Sequence, residues 1–128
     1  MKPCLAGIAA AAATILVVDD EVLIRMVIAD HLRECGYHVI GASDGQEAIA
    51  VLAVEPGIAI IVSDVQMPNC NGFELAQWVR RERPNARVIL ASGAVKAAEV
   101  AVDLCIEYPV LTKPYDLDAI VSRIRSLA

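Results

Sequence analysis

The chain has 128 residues, enough for one domain with an apolar core and no staples, and within that length no second module fits. Its 16 acidic against 11 basic side chains give a formal net charge of −5, which argues against direct binding to nucleic acid or an anionic membrane, since both select basic surfaces. Hydrophobic residues make up 57% and aromatic residues only 4%, so the core is expected to be aliphatic, as in a sheet covered by helices.

Residues 1–13 hold one Lys and an Ala-rich stretch and read as a poorly ordered extension ahead of a domain at 14–128. The apolar run from Cys4 to Val18 is 15 residues, short of the roughly 20 that a membrane-spanning helix needs, and its last part is required as a strand. That first strand, Ile15 to Val18, is short and rich in β-branched residues, and it ends in Asp19, Asp20 and Glu21. Leu23, Val27, Ile28 and Leu32 then recur at helical spacing, and Gly36 suits the position just past the helix end. Tyr37 to Ala42 reads as a second strand. Ser43 or Asp44 can cap the next helix, with Glu47 completing a capping box from Asp44, and that helix buries Ala48, Ile49 and Leu52 and breaks at Pro56-Gly57.

The next run, Ile58 to Val62, is a strand buried on both faces, and it leads into Asp64. Met67-Pro68 and Asn69 to Gly72 make a turn-rich loop that leaves Asp64 accessible. A third helix starts at Asn71 or Gly72, carries Phe73, Leu75, Ala76, Trp78 and Val79, and ends before Pro84. Arg80, Arg81 and Arg83 gather at its end, where cations are favourable beside the helix dipole. Ala86 to Ala91 is a fourth strand closed by Ser92-Gly93. An Ala-rich helix is expected from about Val95 to Leu104, a fifth strand from Val110 to Thr112, and a last helix capped by Asp116 and running to Leu127. Cys4, Cys35, Cys70 and Cys105 lack metal-site or redox spacing and read as reduced thiols, Cys35 and Cys105 in helical patterns and Cys70 in the loop after Asp64. His31 and His38 read as structural or surface residues.

Five strands alternating with five helical patterns predict right-handed βαβ units and a parallel sheet with helices on both faces. Ligands in such sheets bind outside the carboxyl ends of the strands. Two strands there deliver acids to one edge: Asp19 and Asp20 after the first, Asp64 after the third. Each acid alone also suits a turn or an acid-biased helix start. Together they repel unless a cation joins them, and an all-oxygen cluster suits Mg²⁺ or Mn²⁺ rather than zinc. Lys113, after the fifth strand and before Pro114, supplies a counter-charge, and Ser92 a hydroxyl.

The segments ILVVDDE, SDVQMPNCNG, ILASG and LTKPY, in that order, make the chain resemble the receiver (response-regulator) domains of bacterial two-component signalling over about Thr14 to Leu127. The resemblance implies a flavodoxin-like, doubly wound five-stranded parallel sheet of order 2-1-3-4-5 with five helices. It implies Asp64 as phosphoacceptor, Asp19 and Asp20 as the acidic pair that holds Mg²⁺ (or Mn²⁺), and the backbone carbonyl of Gln66 as a further metal ligand. Ser92 falls on the switch hydroxyl and Lys113 on the site lysine. The phosphoryl donor would be a histidine kinase or histidine phosphotransfer protein, and the setting cytoplasmic, as a monomer or weak homodimer. Two positions depart: where the family often has Tyr or Phe three residues before the lysine, this chain has Val110, so switching through an aromatic is not implied, and the Gln66 side chain would stand near the phosphoryl group, where it alters hydrolysis by positioning or blocking water. The expected function is a single-domain phosphoacceptor, not an enzyme beyond its own phosphorylation and autodephosphorylation. The alternatives are a phosphorylation-independent binding module, a receiver cut from a hybrid histidine kinase and, ranked last, a Mg²⁺-dependent phosphatase, for which the metal acids and an aspartyl nucleophile are present but no cap domain or second general acid is seen.

Overall fold

Short β-branched runs become strands wherever both of their faces can be covered, and here that happens five times. The computed structural model describes residues 13–65, 70–92, 110–112 and 117–127. Its strands are β1 (Thr14–Val18), β2 (His38–Ala42), β3 (Ile58–Asp64), β4 (Arg87–Ser92) and β5 (Val110–Thr112). Its helices are α1 (Val22–Glu34), α2 (Gly45–Val54), α3 (Gly72–Glu82) and α4 (Leu117–Leu127). The strands form one sheet in the order β2-β1-β3-β4-β5, every adjacent pair parallel. That is a flavodoxin-like α/β arrangement. The helix expected at 95–104 lies outside the described residues, as do Gln66, Lys113 and the N-terminal extension up to residue 12.

Successive strand residues point to opposite faces, and both faces are apolar. Leu16, Val18, Ile61, Val88 and Leu90 pack against Ala48 and Leu52 of α2 and Leu75, Ala76 and Val79 of α3. Ile15, Val17, Ile60, Val62 and Ile89 pack against Ile28 and Leu32 of α1 and Ile120, Val121 and Ile124 of α4. Each fully buried aliphatic side chain contributes roughly 1.5–3 kcal/mol, so the two cores fix the sheet as a rigid platform for whatever its edge carries.

Local chemistry sets the helix ends. Gly36 adopts φ 97°, the left-handed conformation that glycine enters without strain, and the Tyr37 and Gly36 amides donate to the Leu32 and Arg33 carbonyls, closing α1 with a Schellman motif. Asn71 and Glu74 form the reciprocal capping box of α3. At α2 the pattern differs from expectation. Asp44 accepts from the Glu47 amide, while the Glu47 carboxylate accepts from Ser43 rather than from the cap residue itself. Cys35 is buried at the end of α1 and is disulfide-bonded, correcting the reading of reduced thiols, whereas Cys70 is a free thiol. Arg83 departs from the simple helix-end role too. Its guanidinium donates to the carbonyls of Leu52 (2.7 Å), Glu55 (3.4 Å), Pro56 (3.0 Å) and Ile58 (3.2 Å), tying the end of α3 to the α2–β3 connection.

Candidate functional site

Register decides which side chains meet at the carboxyl edge of the sheet. Thr14 of β1 lies opposite Ile58, but Ile15 lies opposite Ile60, a one-residue slip that sets Val18 opposite Ser63. Without the slip Val18 would face Val62; with it, the residue after β1, Asp19, comes abreast of Asp64. On the other side of β3, Asp64 pairs with Ala91, so Ser92 closes β4 one step beyond, and Ser92 pairs in turn with Thr112. The backbone therefore brings the ends of β1, β3, β4 and β5 to one edge.

Asp19, Asp20 and Asp64 each offer a carboxylate oxygen, and these oxygens all lie within 4.8 Å of one another. Asp19 and Asp64 are buried, at 1% and 5% exposure, and Asp20 is exposed, so the cluster opens to solvent on one side. At this separation and an effective dielectric near 20, the two buried carboxylates repel by roughly 3 kcal/mol. A divalent cation reverses that sign. Among the described residues no His or Cys joins the group, and the all-oxygen donor set fits Mg²⁺ or Mn²⁺.

The loop that carries Asp19 is anchored on several sides. Its amide donates to the Ala42 carbonyl at 3.1 Å, its carboxylate accepts from the Glu21 amide at 2.9 Å, and its carbonyl accepts from Arg25 at 2.6 Å. Asp64 is fixed through its main chain. The Ser63 hydroxyl donates to the Asp64 carbonyl at 2.8 Å, and the Gly72 amide donates to the Val65 carbonyl at 2.9 Å. A Cβ on Gly72 would overlap the Asp64 carbonyl oxygen, so glycine lets the start of α3 close over the end of β3. Further along, the Gly45 amide donates to the Cys70 carbonyl at 3.1 Å, which pins the loop after Asp64 to the start of α2. Burial, and after it the carboxylates of Glu74 and Asp44, pushes the Cys70 thiol above its usual range.

Of the residues singled out in the sequence, Asp19, Asp20 and Asp64 are thus brought together. Ser92 reaches the same edge by its backbone, its side chain lying outside the described residues along with Gln66 and Lys113. Arg25 was not singled out, and Gly72 was read only as a turn residue or helix start. An arginine six residues past the first acid and a glycine eight past Asp64 are ordinary helix residues until the tertiary fold places them.

The model of the response regulator receiver domain matches residues 15–125. Response regulator RR06 of Streptococcus pneumoniae is 39% identical over 114 residues, covering 88% of this chain and 52% of the relative. The sensor histidine kinase RcsC of Salmonella typhi is 38% identical over 112 residues, covering 83% of this chain but 11% of the kinase. This chain thus spans about half, or far less, of the length of these relatives. Among solved structures, response regulator TrrA of Thermotoga maritima, in complex with Mg²⁺-BeF, superposes with a TM-score of 0.80 at 26% identity, covering 91% of this chain and 99% of that one. On the matched segment, the strand order and the acid cluster at the carboxyl edge, the chain belongs to the response regulator receiver domains.

Proposed function

We propose that the domain accepts a phosphoryl group on Asp64 from a phosphohistidine of a histidine kinase or histidine phosphotransfer protein. The observation that carries this reading is the meeting of three carboxylates, from the ends of β1 and β3, within 4.8 Å. Mg²⁺ or Mn²⁺ would be held by Asp19, Asp20, Asp64 and the Gln66 carbonyl. When bound, the ion supplies positive charge that offsets the negative charge on the transferring oxygens.

Asp64 contributes the nucleophile. A carboxylate oxygen attacks phosphorus, the new O–P bond forming as the N–P bond to the donor imidazole breaks with its electron pair leaving on nitrogen. Its backbone, held by Ser63 and by the start of α3, fixes where that oxygen stands in the acid cluster. Lys113 pairs with the phosphoryl oxygens, and Ser92 gains a new acceptor once Asp64 is modified, drawing in the loop after β4. Water later cleaves the acyl phosphate, and no other turnover is proposed. With Val110 at the position of the usual aromatic, no aromatic switch is proposed, and output runs through the surface of the helix expected at 95–104, β5 and α4. The bound module lies on another protein or on a longer form of this chain, in the bacterial cytoplasm.

The donor's approach has support on α1. Val22, Leu23, Met26 and Val27, all more than half exposed, form an apolar patch beside Asp20. Among the described residues no helix is long and apolar enough to cross a membrane.

Incubation with acetyl phosphate and Mg²⁺ followed by intact mass spectrometry tests the proposal. A gain of one phosphoryl group that Asp64→Asn abolishes is expected. The absence of any gain favours the phosphorylation-independent binding module instead, and a gain undiminished in the variant refutes Asp64 as the acceptor.

A further inference from the structure

Metal affinity at a cluster of like charges depends on how firmly the ligands are held before the ion arrives, because every degree of freedom lost on binding weakens it. Asp20 is exposed and Asp64 sits on a core strand, so the adaptable part of the cluster is the connection from β1 to α1, residues 19–21. Beyond Val18 the Asp19 carbonyl has passed the last β1–β2 register pair, Val18 opposite Ala42. Arg25, one turn into α1 and half-buried, reaches back to that carbonyl with Nη1 at 2.6 Å. The aliphatic part of the same side chain lies over Gly41 of β2. A Cβ there would stand 3.3 Å from Cδ, 3.5 Å from Nε and 3.6 Å from Cγ. Gly41 has no left-handed backbone to explain it, since Gly36 is the positive-φ glycine among the described residues. The missing side chain instead leaves the channel through which the arginine runs.

We infer that Arg25, seated in the slot left by Gly41, is a positioning residue that presets the Asp19–Asp20 loop for a divalent cation. The assignment rests on the metal-assisted reading of the site. It also makes a prediction opposite in sign to simple electrostatics. A guanidinium beside an acid cluster repels an incoming cation, so if charge were its only effect, removing it would tighten binding. If position dominates, removing it loosens the carbonyl anchor and weakens binding despite the relieved repulsion. Lysine retains the charge and can donate to the carbonyl but lacks the planar fork, so it restores the anchor only in part.

The test measures the Mn²⁺ dissociation constant by the paramagnetic resonance of free ion, with melting in EDTA as the stability control. Arg25→Met is expected to raise the constant about tenfold or more, as loss of an outer support does at other metal sites. Arg25→Lys is expected to fall between Met and the wild type. Gly41→Val leaves the guanidinium charge in place, suits a strand, and fills the slot, so it should raise the constant as Arg25→Met does while melting no lower than the wild type. In the metal-free protein, exchange of the Glu21 amide, which donates to the Asp19 carboxylate, should quicken in both Arg25→Met and Gly41→Val. An unchanged or smaller constant in Arg25→Met overturns the inference while leaving the metal site intact. A wild-type domain that binds no Mn²⁺ overturns the metal-assisted reading and the inference with it.

Discussion

Gly72 offers a single-atom test of how closely the start of α3 is fitted to the acceptor strand. A methyl group placed there would overlap the Asp64 carbonyl oxygen, and it would stand 2.9 Å from the Val65 Cα and 3.2 Å from the Asp64 carbonyl carbon. Every one of these is backbone, which cannot swing aside as the end of a side chain can. Overpacking of this kind costs about 1–3 kcal/mol. Contact with fixed backbone puts this site in the upper part of that range, about 2–3 kcal/mol, and the better helix propensity of alanine returns about 1 kcal/mol, so Gly72→Ala should be destabilised by about 1–2 kcal/mol. With an unfolding entropy near 2.1 cal/mol/K per residue, each kcal/mol lowers the melting temperature of a chain this long by about 4 °C, giving a fall of about 4–8 °C. The displacement also falls on the peptide that aims Asp64. Phosphorylation by acetyl phosphate at 25 °C, where the variant is still folded, should therefore slow about tenfold, the effect expected when a reacting atom is misplaced by a fraction of an ångström. Gly57→Ala is the control, since nothing lies within 4 Å of its would-be Cβ, and it should match the wild type in both assays. Scanning calorimetry and the rate of mass gain together decide the matter. A Gly72→Ala protein that melts with the wild type and accepts phosphoryl groups at the same rate refutes the close fit.

Other consequences follow from the same geometry. Arg83→Met removes a charged donor from four main-chain carbonyls and should cost about 1.5–3 kcal/mol by urea denaturation, without changing the Mn²⁺ dissociation constant, because the acids lie at the opposite edge of the sheet. Cys70, held protonated to higher pH than an ordinary thiol by burial and then by Glu74 and Asp44, should be alkylated by iodoacetamide more slowly than a free cysteine at pH 8. Glu74→Gln keeps an acceptor for the Asn71 amide but removes the charge, so the pH–rate curve should move to lower pH; a curve that stays in place contradicts the charge effect.

What could be read without coordinates was whatever local periodicity and chain order dictate. The β-branched runs ending in Asp19 and Asp64 gave the strands and the edge to which they deliver acids, and Gly36 marked the end of α1 because only its conformation closes a Schellman motif there. The one-residue register slip at Thr14–Ile15 was not visible, since neither strand's pattern records which partner residue it faces, yet that slip places Asp19 beside Asp64. Arg25 and Arg83 were equally hidden. Both act on main-chain carbonyls, which carry no residue signature, and Arg83 does so on residues 25 to 31 positions away. The disulfide at Cys35 escaped for a related reason, because spacing along the chain says little about which thiols meet in space.

The central claim is that the clustered acids make Asp64 a metal-dependent phosphoryl acceptor, and locating the modification tests it most directly. The wild-type domain is treated with acetyl phosphate in Mg²⁺ or in EDTA, and its peptides are sequenced by tandem mass spectrometry. A phosphoryl group on Asp64 in Mg²⁺ and none in EDTA is the predicted result; modification at another residue, or equal modification of Asp64 in EDTA, contradicts the account.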